Sequence, residues 1–354
     1  MKKFLLTVLA VIVGGIILSI LPFMIMVGVA ASIGKEEVAV KSNSALVYNL
    51  GTNVIDQEEE DPMAVLTQRM YGNTGSMIGF RTLLDNIDKA AVDENIKCII
   101  LEGTSSGATL TDTREIRNHL IAFKEKGKKV YYYSNSIDAS ALYIASVADK
   151  VCMTPEGMVT VMGMSSSIMF YKDILDKFDV EMQVIRHGKF KSAIEPYILN
   201  GMSEANKEQT QKFIDAMWAT MRDDIASSRG IKPEVLDSYI NEFQFADPKN
   251  AVELGLIDQL MYRDEFLSMV KQEIGIEEKE NIASIGMEKY KSAMVYRPEK
   301  SFATRKIALI TASGEIFDGS NEMDNANIYG DDLSRAIREA RRDESVEAIV
   351  LRVK

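Results

Sequence analysis

LLDNIDKAAVDENIKCIIL, at residues 83–101, has a counterpart in LSRAIREARRDESVEAIVL, at residues 333–351. Each stretch has the pattern of a helix followed by a strand. A weaker similarity continues upstream, between residues 45–56 and residues 308–318. The copies are a domain's length apart, unlike the ~20–50-residue units of a solenoid, so they indicate two copies of one fold. We expect the second copy, at residues 305–354, to be truncated.

Short apolar strands alternate with helical stretches, and this alternation predicts an α/β fold with a largely parallel sheet. The first predicted elements, in chain order, are strand 96–101, helix 111–126, strand 130–133, helix 139–148, strand 151–153, helix 169–178 and strand 180–186. A long helix at 203–228, ended by Gly230, and shorter helices at 233–239, 248–254 and 264–273 should follow. Apolar side chains recur along the long helix at helical spacing, which favours a core or subunit contact over a ligand site.

The elements divide the chain into four segments. Residues 1–38 are predicted to hold a cytoplasmic stub and a transmembrane anchor, and residues 39–275 the first α/β domain with a helical extension. Residues 276–304 are predicted to be a charged linker, followed by the second copy at 305–354. A truncated copy leaves strand edges unpaired, so we expect the tail from Lys306 to be poorly ordered or prone to aggregation.

The N-terminus carries a membrane signal. Lys2 and Lys3 precede residues 4–34, which contain no charged side chain and are long enough to cross a hydrocarbon core of ~30 Å. The alternative is a cleaved signal peptide, but its apolar region spans only ~7–15 residues, which favours an uncleaved anchor. Because positive charge precedes the span, the N-terminus should be cytoplasmic and the rest of the chain on the outer side of the membrane.

Composition excludes several classes of function. The net charge of −11 argues against nucleic acid as a partner. Cys98 and Cys152, the two cysteines, lie in apolar strand-like runs and should be small buried side chains, and neither a disulfide framework nor a metal or cofactor motif is visible. Only His119 and His187 could supply the histidine of a catalytic triad, and His119 is expected to be a surface residue of an amphipathic helix.

A loop of small residues follows the strand at 96–101. The sequence GTSSG, at residues 103–107, joins this strand to the next predicted helix. Such a junction can present backbone N–H groups at a helix start, which is a common place for an oxyanion hole. The matching loop of the second copy would begin at Lys354 or just after it.

The segment RHGKFKSAIEPY, at residues 186–197, concentrates basic side chains before a run of small and apolar residues. A solvated basic loop is the plain interpretation. However, Lys191 runs into Ala193 and Ile194, so we expect its amine to be partly desolvated, and an extended segment would place Lys189 on the same face. Desolvation and a neighbouring positive charge both lower the pKa of a lysine, and a neutral amine can serve as a general base. Spacing alone does not decide between the two lysines.

Four stretches carry a resemblance to a known family. GKFKSAIEPYI (188–198), DILDKFDVEMQVIR (173–186), ALYIASVADKVCMTPEG (141–157) and AIVLRV (348–353) resemble the signal peptide peptidase A family, also called protease IV, in its long two-domain form. The resemblance covers essentially the whole chain. It implies a serine endopeptidase with a Ser/Lys dyad and a crotonase-like (Clp protease-like) fold, anchored in the bacterial inner membrane with its catalytic domain on the periplasmic side. It also implies a homo-oligomer, a tetramer, that degrades released signal peptides without a cofactor.

Carried over by position, the resemblance assigns the general base to Lys191, the lysine followed by Ser-Ala. The family's nucleophile is the last serine of a Ser-Pro-Gly-Gly-Ser motif that follows the AIVLRV strand, and no residue of this chain matches it. Ser105 and Ser106 lack the family's proline and paired glycines, so we expect them to be structural. Residues 1–354 alone should therefore lack peptidase activity. Substrates should be extended apolar peptides that add a strand to a sheet edge.

Two other functions fit parts of the sequence. One is a non-proteolytic crotonase-like enzyme acting on acyl thioesters, which would also use an oxyanion hole at a helix start. The other is a catalytically incomplete, membrane-tethered crotonase-like scaffold. The predicted anchor and the lysine motif favour the protease over the first, and a Ser-Pro-Gly-Gly-Ser stretch would favour it over the second.

Overall fold

The computed structural model describes residues 38–56, 76–295, 304–321 and 327–354, together with three positions near the N-terminus. The membrane anchor predicted at residues 4–34 lies, apart from those three positions, outside the described residues. Within the part of the chain that the structure describes, no helix is long and apolar enough to cross a membrane.

The described strands and helices alternate along most of the chain, as the sequence predicted. The strands are β1 (Ser44–Asn49), β2 (Asn53–Ile55), β3 (Met77–Gly79), β4 (Ile96–Glu102), β5 (Lys129–Asp138), β6 (Lys150–Thr160), β7 (Gln259–Leu260), β8 (Ala283–Gly286), β9 (Lys306–Ala312), β10 (Ile316–Phe317), β11 (Ile328–Tyr329) and β12 (Val346–Val353). The helices are α1 (Phe80–Val92), α2 (Leu110–Glu125), α3 (Ala139–Ala145), α4 (Lys172–Lys177), α5 (Glu195–Ile198), α6 (Glu204–Arg229), α7 (Pro233–Asn241), α8 (Pro248–Leu254), α9 (Arg263–Ile274), α10 (Met287–Tyr290) and α11 (Gly330–Arg342).

The chain forms two compact units. The first comprises Met1–Ile100, Gly107–Lys129 and Ile274–Lys354, and the second Leu101–Ser106 and Val130–Glu273. In the first unit β1 lies between β4 and β8 and pairs with β8 in parallel. In the second unit β5, β6 and β7 follow one another in a parallel sheet. The mostly parallel pairing confirms the predicted α/β class.

Two helices of the first unit pack against each other through apolar faces. The buried face of α1 includes Phe80, Leu83, Leu84 and Ile87, at the spacing of one helical stripe. The buried face of α2 is formed in part by Ile116, Leu120 and Phe123. Helix α2 begins where the side chain of Thr109 accepts a hydrogen bond from the backbone N–H of Asp112, at 3.4 Å.

The two stretches that the sequence pairs have the same order of elements. The order β1–β2–β3–α1–β4 recurs as β9–β10–β11–α11–β12, and both helices have 13 residues. The second and third strands of each set pair in parallel. After each helix an aspartate, Asp93 or Asp343, accepts the backbone N–H two residues further on at 2.9 Å. The similarity of sequence thus extends to local hydrogen bonds.

The long helix α6 organises the second unit. It begins after Ser203, whose side chain accepts the N–H of Asn206 at 3.2 Å, and it ends at Gly230 as predicted. Of its apolar stripe, Met221 and Ile225 are buried, whereas Phe213 is largely exposed. The stripe therefore contributes to the core only in the second half of the helix.

Two predicted elements between β6 and α6 differ from the structure. The strand predicted at 180–186 is wrong, since these residues form no strand. Apolar side chains there, such as Val180 and Ile185, are exposed, so no buried face holds an extended segment in a sheet. The helix predicted at 169–178 is shorter and runs from Lys172 to Lys177. The N–H of Tyr171, just before it, is bound to the carbonyl of Pro196 at 2.7 Å.

The segment predicted as a linker, residues 276–304, contains β8 and α10, so part of it belongs to the fold. The ammonium group of Lys89, a buried residue, donates to the carbonyl of Tyr290 at 2.5 Å and to two further carbonyls of this segment. These contacts could not be predicted from the charged sequence, because they are made to backbone carbonyls, which every residue has.

Over its described residues, the tail from Lys306 forms paired strands and a helix, and the expected poor order stays a prediction. β9 and β12 pair in parallel through seven residue pairs, from Val346 with Lys306 to Val353 with Ala312, and α11 packs against both strands. Ile349, Val350 and Leu351 of β12 remain exposed. The predicted tendency to aggregate therefore stays a prediction, now with a defined apolar surface.

Candidate functional site

Lys191 lies in a bent loop of the second unit, between α4 and α6. Gly188 has φ +104°, a value that favours glycine, and the chain turns there. The guanidinium of Arg186 donates to the carbonyl oxygen of Lys191 at 3.3 Å. The carbonyl of Ser192 then accepts the N–H of Glu195 at 2.9 Å, which closes the turn that leads into α5. The backbone at Lys191 is thus fixed from both sides.

The side chain of Lys191 is exposed, as is that of Ala193. The partial desolvation expected from the sequence is therefore not observed, because the turn directs this part of the loop to the surface. The segment is also bent rather than extended, so the argument that placed Lys189 on the same face does not apply. Among the described residues, none forms a hydrogen bond or ion pair with the amine of Lys191. Its assignment as the base stays a prediction.

Glu195 is the buried anchor of this loop, with only 2% of its surface exposed. Its carboxylate accepts the hydroxyl of Ser203 at 2.6 Å, the backbone N–H of Ser203 at 3.1 Å and the side-chain amide of Asn206 at 2.9 Å. Burial alone would raise the pKa of Glu195, but these hydrogen bonds and the charge of Arg186 outweigh it and lower the pKa below its usual value of 4.5. The carboxylate is therefore held ionised at neutral pH.

A second set of contacts joins the loop to α4. The N–H of Tyr171 donates to the carbonyl of Pro196, and the rings of Tyr171 and Tyr197 stack with their centroids 5.7 Å apart. Pro196 occupies the first turn of α5, where a missing N–H costs no helical hydrogen bond. The residues after Lys191 thus form a small, well-connected structure.

The loop at 103–107 is occupied by structural contacts. The N–H of Ser106 donates to the hydroxyl of Ser140 at 2.8 Å, and the N–H of Gly107 donates to the carbonyl of Leu50 at 2.8 Å. A Cβ atom on Gly107 would lie 2.3 Å from the carbonyl oxygen of Thr52, so only glycine fits there. The amides of Ser106 and Gly107 are therefore not free to bind an oxyanion, which agrees with a structural role for this loop.

Of the other candidates for nucleophile or base, His119 is engaged and both cysteines are buried, whereas His187 is exposed. His119 is half-buried, and its Nδ1 atom lies 2.5 Å from the carboxylate of Asp88. His187 is exposed. Cys98 and Cys152 are buried as predicted, and burial raises the pKa of each thiol to about 12. A thiol of this kind is a poor nucleophile near neutral pH.

Residues 122–277, which include the Lys191 loop and α6, match the model of peptidase family S49. "Protease 4" of Haemophilus influenzae is 29% identical over 333 residues, which cover 90% of this chain and 53% of that protein. "Protease 4" of Salmonella typhi is 28% identical, covering 88% of this chain and 52% of its own length. "Serine protease SPPA, chloroplastic" of Arabidopsis thaliana is 24% identical over 81% of this chain and 43% of its own length. The chain spans about half the length of the first two relatives.

The α/β protein thus holds a segment, residues 122–277, that matches the model of peptidase family S49. More particularly, the chain resembles signal peptide peptidase A, which confirms the resemblance found in its motifs.

The sequence did not reveal the role of Glu195, Ser203 and Asn206. A signal was present, because Ser203 precedes a long helix as a capping residue and Glu195 belongs to the KSAIEP motif. The sequence did not show that the buried carboxylate of Glu195 binds Ser203, eight residues further on.

Proposed function

We propose that the chain is part of a serine endopeptidase of family S49 in which Lys191 is the general base. The observation that carries the proposal is that Lys191 presents an amine without a described partner from a loop fixed on both sides, inside the segment that matches the family. In the proposed mechanism the neutral amine takes the proton of a serine hydroxyl as the serine attacks the peptide carbonyl. No histidine is needed.

The nucleophile would come from the second copy of a duplicated crotonase-like fold. The shared order of elements, the equal helix lengths and the matching aspartate contacts after α1 and α11 support duplication. The serine would follow β12, and backbone amides of its loop would stabilise the oxyanion. The exposure of Lys191 fits a site that other parts of the full-length enzyme cover, since a covered lysine is more readily neutral.

Assembly as a homo-oligomer is supported by a concentration of exposed apolar side chains in the second unit. They are Met158, Met162, Met169, Tyr171, Ile174, Phe178, Val180, Met182, Ile185, Phe190, Tyr197 and Phe213. Exposed apolar side chains at such density mark interaction surfaces in soluble domains. We propose that these side chains are covered by another subunit in the assembled enzyme.

The activity is tested with full-length protein and two substrates, a synthetic apolar signal peptide and an acyl-CoA thioester. We expect cleavage of the peptide, seen by mass spectrometry, and no release of free thiol. A serine-directed covalent inhibitor should abolish cleavage and add its mass to a serine in the loop after β12. Thioester hydrolysis without peptide cleavage would instead support the acyl-transfer enzyme, and inactivity on both substrates would support the scaffold.

Membrane anchoring is proposed from residues 4–34, with Lys2 and Lys3 in the cytoplasm. Protease added to the outer face of inner-membrane preparations should then degrade the domain beyond Lys35, while a tag before Lys2 stays protected. A tag placed at the C-terminus serves as the matched control and should be lost. Recovery of a soluble form that begins near Ala31 would show a cleaved signal peptide instead.

A further inference from the structure

Glu195, the first residue of α5, carries a charged side chain and yet lies in the interior beside exposed neighbours. It is almost fully buried, while Lys191 and Tyr197 on either side are exposed. A buried carboxylate is costly unless hydrogen bonds compensate it, and here Ser203 and Asn206 supply three donors. All three come from the start of α6, where the helix dipole also favours a negative charge.

These contacts attach the end of the Lys191 loop to a helix of 26 residues. At the other end, Arg186 holds the carbonyl of Lys191 itself, and the charge of Arg186 also acts favourably on Glu195. The turn between Ser192 and Glu195 leaves only three residues between Lys191 and the anchored carboxylate. Movement of Glu195 would therefore displace Lys191 directly.

We propose that Glu195 is a positioning residue: its carboxylate, bound by Ser203 and Asn206, fixes the loop so that Lys191 stands in the geometry that proton transfer requires. This inference rests on the proposed function. Misplacement of a catalytic group by about 1 Å can cost on the order of 10²-fold in rate. Glu195 itself does not touch the reacting atoms.

The test uses full-length protein with an apolar signal peptide as substrate. Glu195→Ala removes all three hydrogen bonds, and we expect kcat to fall by ~10–10²-fold while KM changes by less than about threefold. Glu195→Asp should behave similarly, because a side chain shorter by one methylene cannot reach the same donors. Glu195→Gln should restore most of kcat, since its amide oxygen can accept from Ser203 and Asn206 while its NH₂ donates to the hydroxyl of Ser203.

Asp237→Ala is the matched control in the same unit. Asp237 accepts the indole N–H of Trp218 at 3.0 Å and the guanidinium of Arg222 at 2.8 Å, and none of its described contacts is to the Lys191 loop. This variant should lower the melting temperature by an amount similar to Glu195→Ala but keep kcat. Hydrogen exchange at residues 195–203, where the N–H groups of Glu195, Tyr197, Leu199 and Ser203 are hydrogen-bonded, should accelerate in Glu195→Ala and stay unchanged in Asp237→Ala.

Lys191→Ala, measured in parallel, separates the two hypotheses. If Lys191→Ala is inactive and Glu195→Ala keeps the kcat of the control, the positioning role is wrong while the proposed function stands. If Lys191→Ala remains active, the proposed function is wrong. A Glu195→Gln enzyme that is as slow as Glu195→Ala but shows wild-type exchange at residues 195–203 would also overturn positioning, because it would indicate that the charge acts on the reaction directly.

Discussion

Replacement of Lys191 by alanine in the full-length protein is expected to lower kcat on an apolar signal peptide by ~10²–10⁴-fold, the usual contribution of a general base. The fold should be preserved, because Lys191 is exposed and no described residue pairs with its amine. Its effect on the free energy of unfolding should therefore stay within ~0.5 kcal/mol. Steady-state kinetics and urea unfolding of the same preparation check both expectations. Lys191→Arg should be equally inactive, since a guanidinium stays protonated.

Lys189→Ala is the control for this experiment. Lys189 is also exposed, two residues away, and its ammonium lies 5.3 Å from the ring centroid of Phe190. The two lysines thus differ little in burial or charge. Lys189 lacks the Ser-Ala that follows Lys191, so Lys189→Ala should retain most of the rate. An active Lys191→Ala enzyme, or loss of activity in Lys189→Ala alone, would show that the base is assigned to the wrong lysine.

Periodicity predicted the strands and helices that bury an apolar face. β4, α2 and α6 lie within one residue of their predicted bounds, whereas β5 continues five residues beyond its predicted end. The strand predicted at 180–186 failed for the opposite reason. Three of its four apolar residues, Val180, Met182 and Ile185, are exposed in the described structure. An apolar sequence by itself does not say whether a residue faces a core or an interaction surface.

The candidate site was predicted only in part. Family motifs identified the Lys191 loop, but the contacts that shape it join side chains to distant backbone groups. The carbonyl of Pro196 binds Tyr171, 25 positions earlier, and Glu195 binds the start of a helix eight positions later. Such contacts depend on the path of the chain in space, which a single sequence does not specify. For the same reason the burial of Glu195 was missed, and the exposure of Lys191 was not expected.

The second large effect concerns a charge cluster in the first unit, formed by Asp56, Asp112, Arg352 and Lys354. Asp112 is completely buried, and its carboxylate accepts the guanidinium of Arg352 at 2.6 Å and the amine of Lys354. The guanidinium of Arg352 also lies 4.1 Å from the ring centroid of Phe80. The cluster thus attaches the end of β12 to Asp56, which follows β2, and to Asp112 of α2.

Asp56 adds a dependence on pH to this attachment. Burial alone would raise its pKa, but a hydrogen bond from Ser313 and the charges of Lys354 and Arg352 lower it below the usual value of 3.8. Because the folded pKa lies below the unfolded one, the ionised carboxylate stabilises the fold above about pH 4. That stabilisation is lost as the pH falls through the folded pKa.

Asp112→Ala is expected to lower the free energy of unfolding by ~3–5 kcal/mol, because the change leaves two cations without their buried partner. The value should lie toward the lower end of this range, since Arg352 is partly exposed. Thr109→Ala is the matched control, because Thr109 donates to Asp112 at 2.8 Å and caps α2 but does not touch Arg352; it should cost only ~1 kcal/mol. Urea unfolding at neutral pH measures both values.

Combining Asp112→Ala with Arg352→Met should cost less than the sum of the single changes, because the double variant leaves no unpaired arginine beside the buried site. The pH dependence is carried by Asp56, so the difference in stability between the wild type and Asp56→Asn should shrink as the pH falls below about 4. Equal costs for Asp112→Ala and Thr109→Ala would show that Asp112 acts only as part of the helix cap and that β12 is attached by other contacts.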